Sequence, residues 1–324
     1  MKLATLDDGT RDGQLIVVAR DLKTAVVADG IAPTLQRALD DWAFIAPQLD
    51  TLSRQLNDGK ARRSFDFVPA RCLAPLPRAF AWIAAQAYRD PSEPDGPARK
   101  DPRLAHGAGG DLLGPCATVE LASEADDIDF AAQLAVITDD VAPGVSPDEA
   151  FQQIRLLTLA NDFTLRSLPP GFEASPATAF APVAVTPDEL GEAWRDAKVH
   201  LPLRVARNGR NAGQPDAARD MICNLAQLVA RAAATRRLRT GTVLGTGPVT
   251  NRTGKKGYCA IAHQRSAEIA ADGQAVTSFL AFGDTLRIEM LDADGKSVFG
   301  AIEQTVRPTG YVPPASVVSV EKPE

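Results

Sequence analysis

Strand-like runs succeed one another through most of this chain without a helix between each pair, and that order limits the fold more than any single motif does. Runs rich in Val, Ile and Leu stand at residues 118–121, 128–138, 156–160, 183–186 and 199–205. A hairpin is expected from Thr285–Met290, with a turn at Asp292-Ala293-Asp294-Gly295 and a return through 298–302. Parallel α/β folds need a helix in each crossover, so this order predicts a mostly-β, α+β body.

The first 75 residues have a different texture. Residues 14–19 and 24–28 read as paired strands, and 34–43 as a helix with Leu35, Leu39 and Trp42 on one face. A second helix is expected over 47–57, with Pro47 in its first turn and Asp58-Gly59 as its stop. Ala74-Pro75-Leu76-Pro77-Arg78 reads as a linker, giving a small α+β N-terminal domain over 1–75 and a larger domain over 76–324. Residues 88–102, dense in Pro and charge, read as a loop or lid. A helix over 224–237 places Leu225, Leu228 and Val229 inward and ends in Arg236, Arg237, Arg239 and Gly241.

Composition sets the function classes aside one by one. With 35 basic and 41 acidic side chains the net charge is −6, the wrong sign for a nucleic-acid-binding body. No run of about 18 apolar residues occurs, so no membrane helix is expected. Asp7 and Asp8 stand where a secretory segment needs an apolar stretch, so a cytoplasmic protein is expected. The four cysteines, Cys72, Cys116, Cys223 and Cys259, form no C-x-x-C pair and argue against a disulfide framework or structural zinc.

Local motifs are weak. Gly245-Thr246-Gly247-Pro248 lacks the Gly-Lys-Ser/Thr ending of a phosphate loop. The Asp292–Gly295 turn has no closing glutamate for calcium. The Arg231–Arg239 cluster reads as a helix end, and the acidic stretch Glu124-Ala125-Asp126-Asp127-Ile128-Asp129 as a solvated strand entry.

Several longer segments carry a resemblance in consistent order. They are Leu112-Leu113-Gly114-Pro115, Ile128 through Thr138, Asn161-Asp162-Phe163-Thr164-Leu165-Arg166, Pro176-Ala177-Thr178-Ala179-Phe180 and Phe282-Gly283-Asp284-Thr285. Together they resemble the core of the fumarylacetoacetate hydrolase family, and residues 1–75 resemble the small N-terminal domain of some bacterial members. The resemblance implies a mixed β-roll C-terminal domain, a homodimer, and Mg or Mn in an open pocket. Such enzymes cleave or rearrange carbon–carbon bonds of 1,3-diketo or 2-oxo acids, with the metal as Lewis acid and a His-Glu pair activating water.

Position by position, the family's pocket is rewritten. The two metal-binding glutamates fall at Ala131 and Gln133, while the aspartate is kept as Asp162. The family lysine is Ser175, the histidine after Tyr88 falls at about Pro91, the Gly-Thr pair reads Gly247-Pro248, and a glutamate is replaced by His263. Arg166, which in the family faces the substrate, is kept.

The expectation is therefore metal-independent carbon–carbon or proton-transfer chemistry on a small oxo-acid- or diketone-like molecule. Asp162 is assigned as general base, His263 as proton donor or acceptor, and Glu173, Asp111 and His106 as further candidates. Arg166, Tyr88, Gln133, Ser175 and Gly247 are assigned to substrate binding. No cofactor is expected, or Mg or Mn if the family site still functions. The alternatives are a non-catalytic partner subunit, in a heteromer with an active paralogue, and an ordinary Mg-dependent hydrolase or decarboxylase.

Overall fold

In the computed structural model, residues 1–89, 91, 101–107 and 112–310 are described. Most of the 88–102 loop and the candidate Asp111 lie outside them.

Lys2–Leu6 (β1), Gln14–Val18 (β2) and Thr24–Val27 (β3) form an antiparallel meander, extended at its edge by Phe65–Asp66 (β4). Each strand alternates between two cores, as period-2 geometry demands. Leu3, Leu15 and Val17 face one core, Ala4, Ile16 and Val18 the other. Leu35–Asp40 (α1) and Trp42–Asn57 (α2) cover the first of these faces with Leu35, Leu39, Ile45 and Leu49. The expected break near residue 43 lies instead at Asp41, whose φ of −137° and ψ of 50° end α1. Pro47 is therefore inside α2 rather than at its start. Pro47 has no N–H to offer the Ala43 carbonyl one turn back, so one helical hydrogen bond is lost, and Ile45 and Leu49 keep the helix on the sheet. The expected linker is packed: Ala74 and Leu76 are buried, and Thr5 Oγ1 donates to the Pro75 carbonyl at 2.7 Å.

The larger part begins with Ala81–Gln86 (β5), Arg103–His106 (β6), Leu112–Leu113 (β7) and Val119–Leu121 (β8). Ile128–Thr138 (β9) and Ile154–Leu165 (β10) make the longest antiparallel pair, with the short helix Pro147–Phe151 (α3) between them. All eleven residues of β9 are buried. Thr178–Phe180 (β11) and Ala184–Val185 (β12) follow. The expected strand over 199–205 is broken ahead of Pro202, which has no ladder N–H, so the chain forms the hairpin Trp194–Arg195 (β13) with Lys198–Val199 (β14) and then Leu203–Arg207 (β15).

After Arg210–Gly213 (β16), the helix Leu225–Ala232 (α4) ends five residues before its expected stop. The Ala233 carbonyl accepts from Gly144 N at 3.0 Å, and Leu238 bridges to Val141, drawing the chain away from the helical path. Thr242–Gly245 (β17) is followed by Ile261–Asp272 (α5), an unexpected helix. Ile261 alone is buried on α5, so it shows none of the apolar periodicity that reveals a helix in sequence. Thr285–Met290 (β18) turns at Asp292–Gly295 as expected and the chain returns through Val298, whose N–H donates to the Met290 carbonyl, but the partner strand proper is Ile302–Pro308 (β19). Val298 and Phe299, between the two strands, are buried, and the Phe299 carbonyl accepts from Val183 N on the main-sheet side.

One twelve-stranded sheet runs β4-β3-β2-β1-β12-β10-β9-β17-β5-β6, with β11 and β7 attached beside β10. A second sheet, β16-β15-β18-β19-β8, packs on its other face. The result is the expected mostly-β, α+β architecture with mixed sheets. No described helix is long and apolar enough to cross a membrane.

Candidate functional site

The register of β9 against β10 sets Asp162 directly opposite Ala131, and Gln133 opposite Ala160. Side chains at 131, 133, 160 and 162 therefore share one sheet face. It is the face that α1 and α2 cover farther along, where Ala135, Ile137 and Ala160 belong to their core. Beyond those helices the face is open, forming a cavity of about 900 Å³. Its floor holds Ala131, Gln133, Asp162 and Thr164, and its rim includes Arg166, Gly247 and Pro248. That volume is at the upper end of the range for small-molecule sites.

Asp162 is half-buried, and burial raises its carboxyl to about 6, against the opposing effects of a hydrogen bond from Thr178 and the positive Arg166. Thr178 Oγ1 donates to Asp162 Oδ1 at 2.5 Å. The register explains the contact, since Thr178 on β11 pairs with Asp162. A carboxyl tuned this way exchanges protons readily near neutral pH.

Gln133 is buried, and its Oε1 accepts from Gly247 N at 2.7 Å. Gly247 has a φ of +75°, and a Cβ there would meet the Ala85 carbonyl oxygen at 2.3 Å, so only glycine fits. Together the two residues clamp the end of β17 against β9.

Arg166 lies at the cavity rim, but its Nε and Nη2 both donate to Asp129 Oδ2, at 2.9 and 2.8 Å. Asp129 is fully buried, which corrects the reading of 124–129 as a wholly solvated strand entry. Its Oδ1 accepts from Phe130 N and Ile261 N, and its Oδ2 also accepts from Ala262 N at 3.2 Å. A carboxylate on β9 thus caps α5, whose own N-cap residue, Ala260, makes no side-chain cap.

The other expected site residues are placed as follows. His106, on β6, lines the cavity. Tyr88 is buried in the core and its hydroxyl donates to the Ala217 carbonyl at 2.5 Å. Burial pushes that phenol well above its ordinary value. His263 is on α5 with its Nδ1 2.8 Å from Thr250 Oγ1, and is not among the lining residues of the cavity at Asp162. Glu173 is exposed in the turn after β10, and neither it nor Ser175 lines that cavity. Pro91 borders a neighbouring cavity of about 380 Å³ with Arg89 and Thr250.

Four residues of consequence were not singled out for this site. Thr178 stands inside the Pro-Ala-Thr segment, and period-2 pairing with Asp162 was the available signal. Arg103, Arg231 and Arg236 also line the cavity. For the last two, the arginine cluster itself was visible but was read as a helix end.

A divalent hard cation in this family's position would need several anionic oxygens. Ala131 offers none, the Gln133 oxygen is bonded to Gly247, and one Asp162 oxygen accepts from Thr178. A single carboxylate is not a Mg²⁺ or Mn²⁺ donor set, so these residues do not fit the ion.

Residues 1–78 match the sequence profile described as Fumarylacetoacetase N-terminal domain 2, and residues 79–307 match Fumarylacetoacetate (FAA) hydrolase C-terminal. No curated protein matches the chain in sequence. Among solved structures, maleylpyruvate hydrolase from Sphingobium sp. SYK-6 is similar, at 16% identity over 95% of this chain and 100% of that one, with a TM-score of 0.67. The same enzyme in complex with manganese (II) ion and pyruvate gives 17% identity, 95% and 99% coverage, and a TM-score of 0.65. A 5-carboxymethyl-2-hydroxymuconate delta-isomerase from Mycobacterium smegmatis gives 18% identity, 96% and 100% coverage, and a TM-score of 0.63.

Proposed function

Because the chain belongs to the fumarylacetoacetate hydrolase family, we propose that it is an enzyme that moves protons on a small oxo acid, using Asp162 in place of a resident metal. The observation that carries this reading is the donor arrangement on β9 and β10: one carboxylate facing an open cavity, with Ala131 opposite it and Gln133 tied to Gly247. Proton transfer by a single positioned carboxylate is what such an arrangement can do.

In this reading the ionised Asp162 takes a proton from the carbon beside the substrate carbonyl, and the electron pair moves onto the carbonyl oxygen as an enolate. Thr178 holds Oδ1, so Oδ2 faces the substrate carbon. Return of the proton from Asp162 to another carbon of the conjugated system gives the isomerised oxo acid, with atoms and charge balanced. Arg166, fixed by Asp129 at the rim, supplies positive charge near the developing enolate. The similarity to an isomerase and a hydrolase of oxo-acid substrates supports the substrate class.

The test uses EDTA-treated protein and an unconjugated 2-oxo-4-enoate, following the rise in ultraviolet absorbance as its double bond moves into conjugation with the carbonyl. Turnover without metal is expected, falling by about 100-fold or more in Asp162→Asn. Turnover that appears only on adding Mg²⁺ or Mn²⁺ would overturn the reading.

A further inference from the structure

The smaller cavity, of about 380 Å³, shares none of its described lining residues with the cavity at Asp162. Its volume falls within the range of small-molecule sites. One side of it is built by α5. Ala267, Ala270 and Ala271 line it, and they stand four, seven and eight positions after His263, so all four residues share one helix face. Toward the less exposed end of that face, His263 holds Nδ1 2.8 Å from Oγ1 of Thr250, itself a lining residue.

The polar part of the lining is brought together by strand register and hydrogen bonds. Tyr88 bridges Met221 in antiparallel fashion, and Ile222 N donates to the Ala87 carbonyl at 2.9 Å. Arg89 therefore stands directly across from Asp220, both on the side away from the buried Tyr88. Arg252 joins them, because its backbone N–H donates to Asp220 Oδ2 at 3.0 Å. Asn251, buried next to it, accepts from Asp216 N and donates to the carbonyls of Asp216 and Arg219, which fixes this corner.

Arg89 and Arg252 thus flank one residue, and among the described residues neither guanidinium has an ion-pair partner. Asp220 pairs instead with Arg219, at 3.7 Å, which is not part of the lining. Two guanidiniums and one carboxylate give the lining a charge of 2 − 1 = +1. The methyl groups of α5 and the ring of Tyr258 add apolar surface to the same cavity. A monoanion with a flat apolar body meets both demands, since a carboxylate fits a guanidinium fork and a ring packs on methyl and aromatic surface.

We propose that this cavity is a second ligand site, which takes a small aromatic monocarboxylate. Arg89 and Arg252 hold its carboxylate, and its ring lies on the alanine face of α5 with Tyr258. The site depends on no step at Asp162.

Calorimetry on the full chain tests this, with 1-naphthoate as the probe and 1-naphthylmethylammonium as the comparison. The carboxylate is expected to bind once per chain and to weaken at least about tenfold in Arg89→Ala/Arg252→Ala. A weakening at least as large is expected in Ala270→Phe, whose ring covers the alanine face. Arg252 and Ala270 are exposed, and far-ultraviolet circular dichroism with a melting curve verifies that both variants stay folded. Absence of naphthoate binding overturns the proposal, as does binding that either folded variant leaves intact, or equally tight binding of the ammonium compound. The turnover assay with Asp162→Asn reads the other cavity alone, so the two readings fail separately.

Discussion

The backbone N–H of Gly247 donates to Oε1 of the buried Gln133 at 2.7 Å, joining the end of β17 to the middle of β9 at the floor of the cavity. This amide stands where the family's pattern has a metal-binding glutamate, and it holds a loop in place. Gln133→Ala is expected to lose about 2–4 kcal/mol, because it leaves the Gly247 N–H unpaired and opens a void beneath it. Denaturant unfolding measures it, and a loss under about 0.5 kcal/mol would show that the clamp contributes little.

A site that lacks ligands is open to restoration. Ala131→Glu with Gln133→Glu, combined with Ser175→Lys, gives three carboxylates on one sheet face, Asp162 included. Calorimetry with Mg²⁺ and Mn²⁺ should then show affinity raised on the order of tenfold or more over the unaltered chain. Unchanged affinity in a folded triple variant would count against the placement of the family's metal at these positions.

Asp129 ties three segments with one carboxylate: β9 carries it, α5 is capped by it, and Arg166, in the turn just past β10, is held by it. Asp129→Asn is expected to destabilise by about 2–4 kcal/mol, since an NH₂ group would face donors that now meet an oxygen. Hydrogen exchange should show the loss concentrated in the first turn of α5, around Ile261 and Ala262. Uniform loss across the sheet would mean the cap is not what Asp129 supplies.

The raised carboxyl of Asp162 fixes the sign of a pH effect. Its folded value of about 6 exceeds the ordinary 3.8, so between these values the folded chain holds a proton that the unfolded chain has released. Stability from this group is present below pH 3.8, falls as pH rises through that window, and is absent above about 6. Asp162→Asn removes the penalty and should be more stable than the unaltered chain by about 1–2 kcal/mol at pH 8, the difference vanishing near pH 4. Urea titrations at four pH values suffice, and a pH-independent difference would refute the assignment. Greater stability with lost turnover would be the usual signature of a functional group held in an unfavourable setting.

How much of this was legible beforehand depended on whether the signal was local. The 128–138 run, buried along its whole length, and the meander of residues 14–27 could be read from apolar patterning alone. So could the identity of the cavity floor, because the family's segments place Ala131, Gln133 and Asp162 two apart or across a pair. Helix α5 was hidden because its cap comes from Asp129, more than 130 residues away, and its faces carry little apolar periodicity. The positions of Tyr88 and His263 likewise depended on distant partners, Ala217 and Thr250. Arg231 and Arg236 were conspicuous, but only the folding of α4 over the sheet sets them on a cavity wall.

The pairing of β1 with β12, Lys2 opposite Val185 and Leu3 opposite Ala184, has a consequence for any attempt to divide this chain. Strands β1 to β4 continue the same hydrogen-bonded ladder that carries Asp162, so a cut near residue 78 would sever a sheet rather than a tether. The remainder would present the bare flank of β12 and lose the helices that roof Ile137 and Leu156. Such a fragment would bind copies of itself through that flank, and the small N-terminal unit is thereby a continuation of the sheet on which the site is built.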